Sequence, residues 1–151
     1  NYYLIVIRYI YICIFIVILI LPSCTKNEDD MFFEINLIDT YPLEIIEFQE
    51  NIYVKVLYQH PQGYLGFSDP DYLSLEVKDS RLSQADYYHL IPITPPNNSL
   101  SITGEILVEI DSPFVFGNGL IELVNFTIRI QDQNLVWSNE ITTPNISVNK
   151  Q

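Results

Sequence analysis

The sequence predicts an all-β protein: one antiparallel β-sandwich of about seven strands behind an N-terminal export signal. Three observations carry this prediction. Short apolar stretches alternate with polar residues at a two-residue period, which marks strands with one buried face. Clusters of Pro, Gly, Asn and Asp separate them at intervals of about 8 to 12 residues, the spacing expected of a sandwich. No segment sustains a 3.6-residue period over a dozen positions, and Ile, Leu, Val, Tyr and Phe abound beside nine prolines and five glycines.

The strands follow in order. Phe33, Ile35 and Leu37 alternate with Glu34 and Asn36, and the run from Asp39 to Pro42 breaks the pattern. Glu44 to Phe48 reads as a short edge strand before a turn at Gln49-Glu50-Asn51. Ile52, Val54, Val56 and Tyr58 give the clearest alternation of the first half. From Gln59 to Asp71 the residues Pro61, Gly63, Gly66 and Pro70 predict a long loop. Leu73, Leu75 and Val77 form a further strand, closed by Asp79-Ser80; Ser80 to Tyr87 is the one stretch with room for a helical turn. Tyr87 to Ile93 reads as an edge strand, where the missing donor of Pro92 is tolerated. After a turn at Asn97-Asn98, Leu100, Ile102, Ile106, Val108 and Ile110 keep one parity through Gly104, a bulge or a thin spot. Val124, Phe126, Ile128 and Ile130 form the next strand, and a last one runs from Trp137 to Thr143 and resumes at Ile146 and Val148 after Pro144.

The hairpin Phe126-Thr127-Ile128-Arg129-Ile130-Gln131-Asp132, turn, Ser138-Asn139-Glu140-Ile141-Thr142-Thr143-Pro144 resembles the last hairpin of immunoglobulin-like and fibronectin type III modules found in Bacteroidota lipoproteins. That resemblance covers roughly residues 100 to 148 and implies an immunoglobulin-like β-sandwich. It implies no particular function, because sandwiches host many unrelated sites.

The N-terminus carries Arg8, an apolar run from Tyr9 to Leu21, then Leu21-Pro22-Ser23-Cys24 and the polar Thr25-Lys26-Asn27-Glu28-Asp29-Asp30. The run has the length of a signal-peptide core, typically about 7 to 15 residues, and falls short of the ~20 needed to span a bilayer. Adding Tyr2 to Ile7 approaches that length, but Arg8 inside a span costs roughly 2.5 to 3.5 kcal/mol. Leu21, Ser23 and Cys24 resemble a bacterial lipobox, with Pro22 a departure from its commonest form. The resemblance implies cleavage between Ser23 and Cys24, acylation of Cys24 and stable anchoring by several acyl chains. Lys26 to Asp30 resembles the surface-export signal of Bacteroidota lipoproteins; it reads equally as a solvated acidic spacer. The expected organisation is a signal peptide over residues 1–23, a flexible linker over 24–31 and a β-sandwich over 32–151, lipid-anchored in an outer membrane.

Composition narrows the function. A net charge of −12 and a pI near 4.2 argue against nucleic acid or anionic headgroups as partners. Cys13 and Cys24 are the only cysteines, so residues 32–151 hold no disulfide. His60 and His89 lie in no catalytic motif and read as surface or edge residues; Gly-x-Ser-x-Gly, His-Glu-x-x-His and phosphate-loop patterns are absent. No enzyme activity, cofactor or metal is expected. Asp69 and Asp71 flank Pro70 as two carboxylates, too few for calcium, and read as a turn. Glu44, Glu47 and Glu50 read as solvated charge.

The stretch from Tyr58 to Tyr72 is the candidate binding loop, at the position where sandwiches carry such loops. Tyr64, Phe67 and Tyr72, with Asp69 and Asp71, would form its contact surface; alternatively the rings fold back and cap the end of the sandwich. Trp137 reads as core. The expected role is a lipid-anchored interaction module with a protein partner in an outer-membrane or cell-surface assembly. The alternative is a small glycan-binding or inhibitor-like lipoprotein using residues 58–72. Sugar binding predicts coplanar exposed rings, and protein binding predicts an apolar patch or an open sheet edge.

Overall fold

The computed structural model describes residues 2–3, 32–93 and 102–151. Ser23, Cys24, the apolar run from Tyr9 to Leu21, the linker 24–31 and the Asn97-Asn98 turn lie outside the described residues. The chain divides into two compact units, Asn1–Asp30 and Met31–Gln151. The second is all-β, with strands β1 (Glu34–Tyr41), β2 (Glu44–Ile46), β3 (Ile52–His60), β4 (Leu73–Asp79), β5 (Asp86–His89), β6 (Ile102–Ile110), β7 (Ile121–Val124), β8 (Phe126–Ile130), β9 (Ile141–Thr142) and β10 (Ile146–Asn149). They form three sheets, ordered β1-β3-β6, β2-β10-β7 and β5-β4-β8-β9.

Among the described residues ten strands stand where about seven were expected, two of the additional ones arising because two long strands are interrupted. Asn125 separates β7 from β8 while Val124 and Phe126 both stay buried, so the strand keeps its face and changes its partner. Pro144 cannot donate to a ladder and separates β9 from β10. The two pairs stay joined across the breaks: Thr143 N donates to the Phe126 carbonyl at 2.9 Å, and Ile146 pairs with Val124. The pairing is also not wholly antiparallel. The β1–β3 ladder stops at Pro42, which has no donor, and the chain moves to another sheet, where β2 lies parallel to β10.

Bulges fall where the sequence did not place them. Ile38 is the extra residue in β1: Leu37 faces Val56 and Asp39 faces Lys55, so the buried parity passes from Ile35 and Leu37 to Thr40 and β1 extends to Tyr41. Gly104 is no bulge, since β3 and β6 pair without a break from Ile52 to His60. It is a close approach instead: a Cβ there would lie 2.6 Å from the Tyr58 hydroxyl and 2.7 Å from its ring. Ser80 to Tyr87 forms a turn and then β5, with no helix.

Inward residues of all three sheets meet in one core, with Ile35, Val54, Val56, Leu65, Val124, Ile130, Ile146 and Val148 fully buried. Most are β-branched, which suits a pleated surface, and each contributes about 1.5 to 3 kcal/mol by leaving water. With no disulfide in this unit, that packing is the main source of stability.

Candidate functional site

The predicted loop folds inward. Leu65 is fully buried and bridges Ile93 and Asp132; Gly66 accepts from Gln133 Nε2, and Phe67 N donates to the Leu90 carbonyl. A side chain at Gly66, whose φ is 75°, would strike the Leu90 and Ile91 carbonyls. Phe67 and Tyr72 stack on each other with centroids 3.8 Å apart, and Tyr72 Oη donates to Gln131. Tyr64, Phe67 and Tyr72 are all half-buried. Phe67 and Tyr72 thus lie one over the other and not side by side in one plane. Asp69 Oδ1 accepts from Asp71 N and the Asp69 carbonyl from Tyr72 N, a turn built by its own side chain. Among the described residues no group of three or more His, Cys, Asp and Glu is placed to hold a metal ion.

Beneath this loop lies a pair the sequence reading missed. His60, expected at the surface, is 1% exposed, and its Nε2 stands 3.2 Å from Asp132 Oδ2. Gln62 N donates to Nδ1, so Nδ1 is the acceptor and the ring proton sits on Nε2, facing the carboxylate. Asp132 Oδ1 accepts from Asn134 N and Val136 N, which fixes the turn after β8. Phe33 packs edge-on against the imidazole at 4.9 Å. With both ring nitrogens engaged, His60 has none left to activate a nucleophile. His89 Nδ1 is likewise occupied, donating to the Tyr72 carbonyl. The pair is a buried clamp between β3 and the turn after β8.

Exposed apolar surface gathers around the loop between β6 and β7. Phe48, 66% exposed, stacks on Phe114 at 5.4 Å, and Phe114 meets Phe116 edge-on at 4.9 Å. Elsewhere on the β2-β10-β7 sheet Ile46 and Ile121 flank Asn149 in one row, and Ile121 and Leu123 are exposed on the side of β7 opposite to Glu122. Phe48 has φ 62°, a conformation that costs a bulky L residue roughly 1 to 2 kcal/mol.

Two carboxylates and one guanidinium hold this loop in place of a ladder. Glu47 is buried rather than solvated: its Oε2 accepts from Val115 N and its Oε1 from Gln151 N. The Val115 N–H holds its carboxyl below the ordinary glutamate value, against the opposing effect of burial. Glu122 accepts from Phe116 N, Gly117 N and Arg81, and the two backbone donors lead in lowering its pKa. Arg81 also donates to both Asp79 oxygens and the Phe114 carbonyl, and its guanidinium lies 4.0 Å from the Phe116 ring centroid. Burial alone would lower the Arg81 pKa; Asp79 and Glu122 outweigh it and raise it.

Trp137, expected in the core, is half-buried on the outer face of β8 and β9, under Arg129 at 4.6 Å. Arg129 grips Glu76 through two bonds of 2.8 and 2.7 Å, the leading cause of that carboxyl's lowered pKa. Signals for both exposed apolar groups were present in the sequence. Phe114-Val115-Phe116 alternates between Pro113 and Gly117, and Ile121 and Leu123 share the parity opposite Val124, so a strand with Val124 inward must present both outward.

Compared with known proteins, the chain matches no family model, no curated protein and no solved structure.

Proposed function

We propose that this chain is a lipid-anchored, non-enzymatic interaction module of an outer-membrane or cell-surface assembly, and that it seats a protein partner on the aromatic cluster of Phe48, Phe114 and Phe116. The observation that carries the reading is Phe48, an aromatic residue kept exposed at a left-handed backbone position that glycine would occupy without strain. Exposed apolar patches of this kind mark interaction sites. An immunoglobulin-like sandwich is the architecture proposed. Support comes from the order β1-β3-β6 in one sheet and β5-β4-β8-β9 in another, the second continued by β2-β10-β7. Anchoring through Cys24 and cleavage after Ser23 rest on the lipobox resemblance.

Phe48→Gly tests the binding face. The substitution relieves the strained φ and forfeits a ring stack of about 0.5 to 1.5 kcal/mol, so stability should stay within about 1 kcal/mol of the parent. Partner recovery in a gentle detergent pull-down should fall by tenfold or more. Undiminished recovery with Phe48→Gly would move the binding site elsewhere, and recovery of no partner by the parent would remove the interaction role. If Cys24→Ala leaves an uncleaved, membrane-bound chain, the apolar segment is the anchor and the lipid is not. Protease shaving of intact cells decides exposure, with complete protection placing the domain inside.

A further inference from the structure

The loop between β6 and β7 ends in Gly117-Asn118-Gly119-Leu120 and holds the one Asn-Gly pair of the chain. Asn118 and Gly119 are both exposed, and among the described residues neither the Asn118 side chain nor the Gly119 N–H has a hydrogen-bond partner. Other asparagines of the described turns and strand ends are placed differently. Asn125, Asn134 and Asn149 each donate through the side chain to a distant residue. The N–H that follows each of them is also engaged, at Phe126, Leu135 and Lys150.

An asparagine amide carbon lies within reach of the next residue's nitrogen, and joining the two closes a five-membered imide. Glycine in the next position removes the Cβ that obstructs closure. We infer that Asn118 is a self-modification site, and that its product loosens the loop that carries Phe116. The Gly119 nitrogen loses its proton to solvent base and attacks Asn118 Cγ; the N–Cγ bond forms, the Cγ–Nδ2 bond breaks, and Nδ2 takes up a proton and leaves as ammonia. Water then opens the succinimide at either carbonyl to give aspartate or isoaspartate, with no oxidant or reductant required.

The pair lies between two tethers: Gly117 N donates to Glu122 Oε1 at 2.8 Å, and Lys150 N donates to the Leu120 carbonyl at 2.8 Å. Isoaspartate routes the main chain through Cβ and Cγ, which adds an atom to a span held at both ends, so one tether must give. Either product also places a carboxylate beside the Gly117 amide that Glu122 holds, on a chain already at net charge −12, and like charges repel. Phe116 N donates to the same Glu122, so its ring loses its fixed position. The cyclisation needs no partner; its effect on binding rests on the interaction role proposed above.

The test holds the full chain, in detergent micelles, in mildly alkaline ¹⁸O-labelled water and maps label uptake and isoaspartate by peptide mass spectrometry. Uptake should be roughly tenfold faster at residue 118 than at Asn125, Asn134 or Asn149, and Gly119→Ala should slow it by about tenfold. That variant is accommodated, because an added Cβ meets the Ile121 carbonyl at 3.5 Å and Gly119 is outside the left-handed region. Equal rates at these asparagines, or in the parent and Gly119→Ala, overturn the site. Deuterium exchange at the Gly117 or Lys150 amide should speed up on conversion, and unchanged exchange at both overturns the loosened loop. Partner recovery should fall as the parent ages and hold in equally aged Gly119→Ala; conversion without a fall overturns the effect on binding. If Phe48→Gly abolishes recovery while residue 118 stays unmodified, the interaction face stands and this inference falls.

Discussion

Asp132→Asn is a sharp test of the buried clamp, because it changes one atom whose consequence the hydrogen bonds dictate. The asparagine side chain would keep an oxygen for Asn134 N and Val136 N, so the turn survives. Its NH₂ would face His60 Nε2–H, donor against donor, and the ring could not move its proton to Nδ1, because Gln62 N already donates there. One buried hydrogen bond is lost and one donor stranded, about 2 to 3 kcal/mol. Asp132→Ala strands the two turn amides as well and should cost about 3 to 5 kcal/mol, a large share of the roughly 5 to 15 kcal/mol of a typical domain. Trp137, the only tryptophan, gives a fluorescence signal for urea unfolding. With slopes of roughly 1 to 3 kcal/mol per molar, the midpoint should fall by roughly 1 M for Asn and about twice that for Ala. Nitrogen NMR of His60 should show a protonated Nε2 and a bare Nδ1. A proton on Nδ1, or an Asn variant as stable as the parent, would refute the reasoning.

Gly104→Ala should cost about 1 to 3 kcal/mol by driving a methyl into the Tyr58 ring, and Tyr58→Leu in the same chain should recover part of it; additive losses in urea unfolding would contradict the contact. Arg81→Lys keeps the charge but loses the fork between Asp79 and Glu122, so limited proteolysis should cut between 111 and 120 faster than in the parent, and an unchanged rate would count against the clamp. Glu47, Glu76 and Glu122 all have folded pKa values below the ordinary 4.5, so the stability they contribute is present above that value and is lost as pH falls through the lower folded values. Unfolding midpoints should therefore hold steady from about pH 7 to 5 and drop in more acid solution, with a shallower drop in Glu122→Gln; a slope that Glu122→Gln leaves unchanged would count against this role.

Strand positions were legible wherever one face is buried and the other wet. The alternation through Ile52, Val54, Val56 and Tyr58 placed β3, and that through Phe126, Ile128 and Ile130 placed β8. Partner changes were not legible, because Val124 and Phe126 look the same whether their strand keeps one neighbour or exchanges it at Asn125. The candidate loop was found by its aromatic content, but that content cannot say whether rings face solvent or one another; Leu65 at its centre turns them inward. His60 and Glu47 were misread for a common reason. A polar residue is buried when distant groups satisfy it, and Asp132 and Val115 lie 72 and 68 positions away.

The loop from 111 to 120 is tethered by carboxylates rather than by neighbouring strands, and this bears on how a partner would leave as well as arrive. Glu47 and Glu122 tie down the amides of Val115, Phe116 and Gly117, so the rings of Phe114 and Phe116 lose their conformational freedom during folding. A partner then meets a surface already in shape and gives up little entropy in ordering it. Changes to the rings should show mainly in the dissociation rate. Loosening either carboxylate would bring back a loop that must be ordered at each encounter, and association itself would slow.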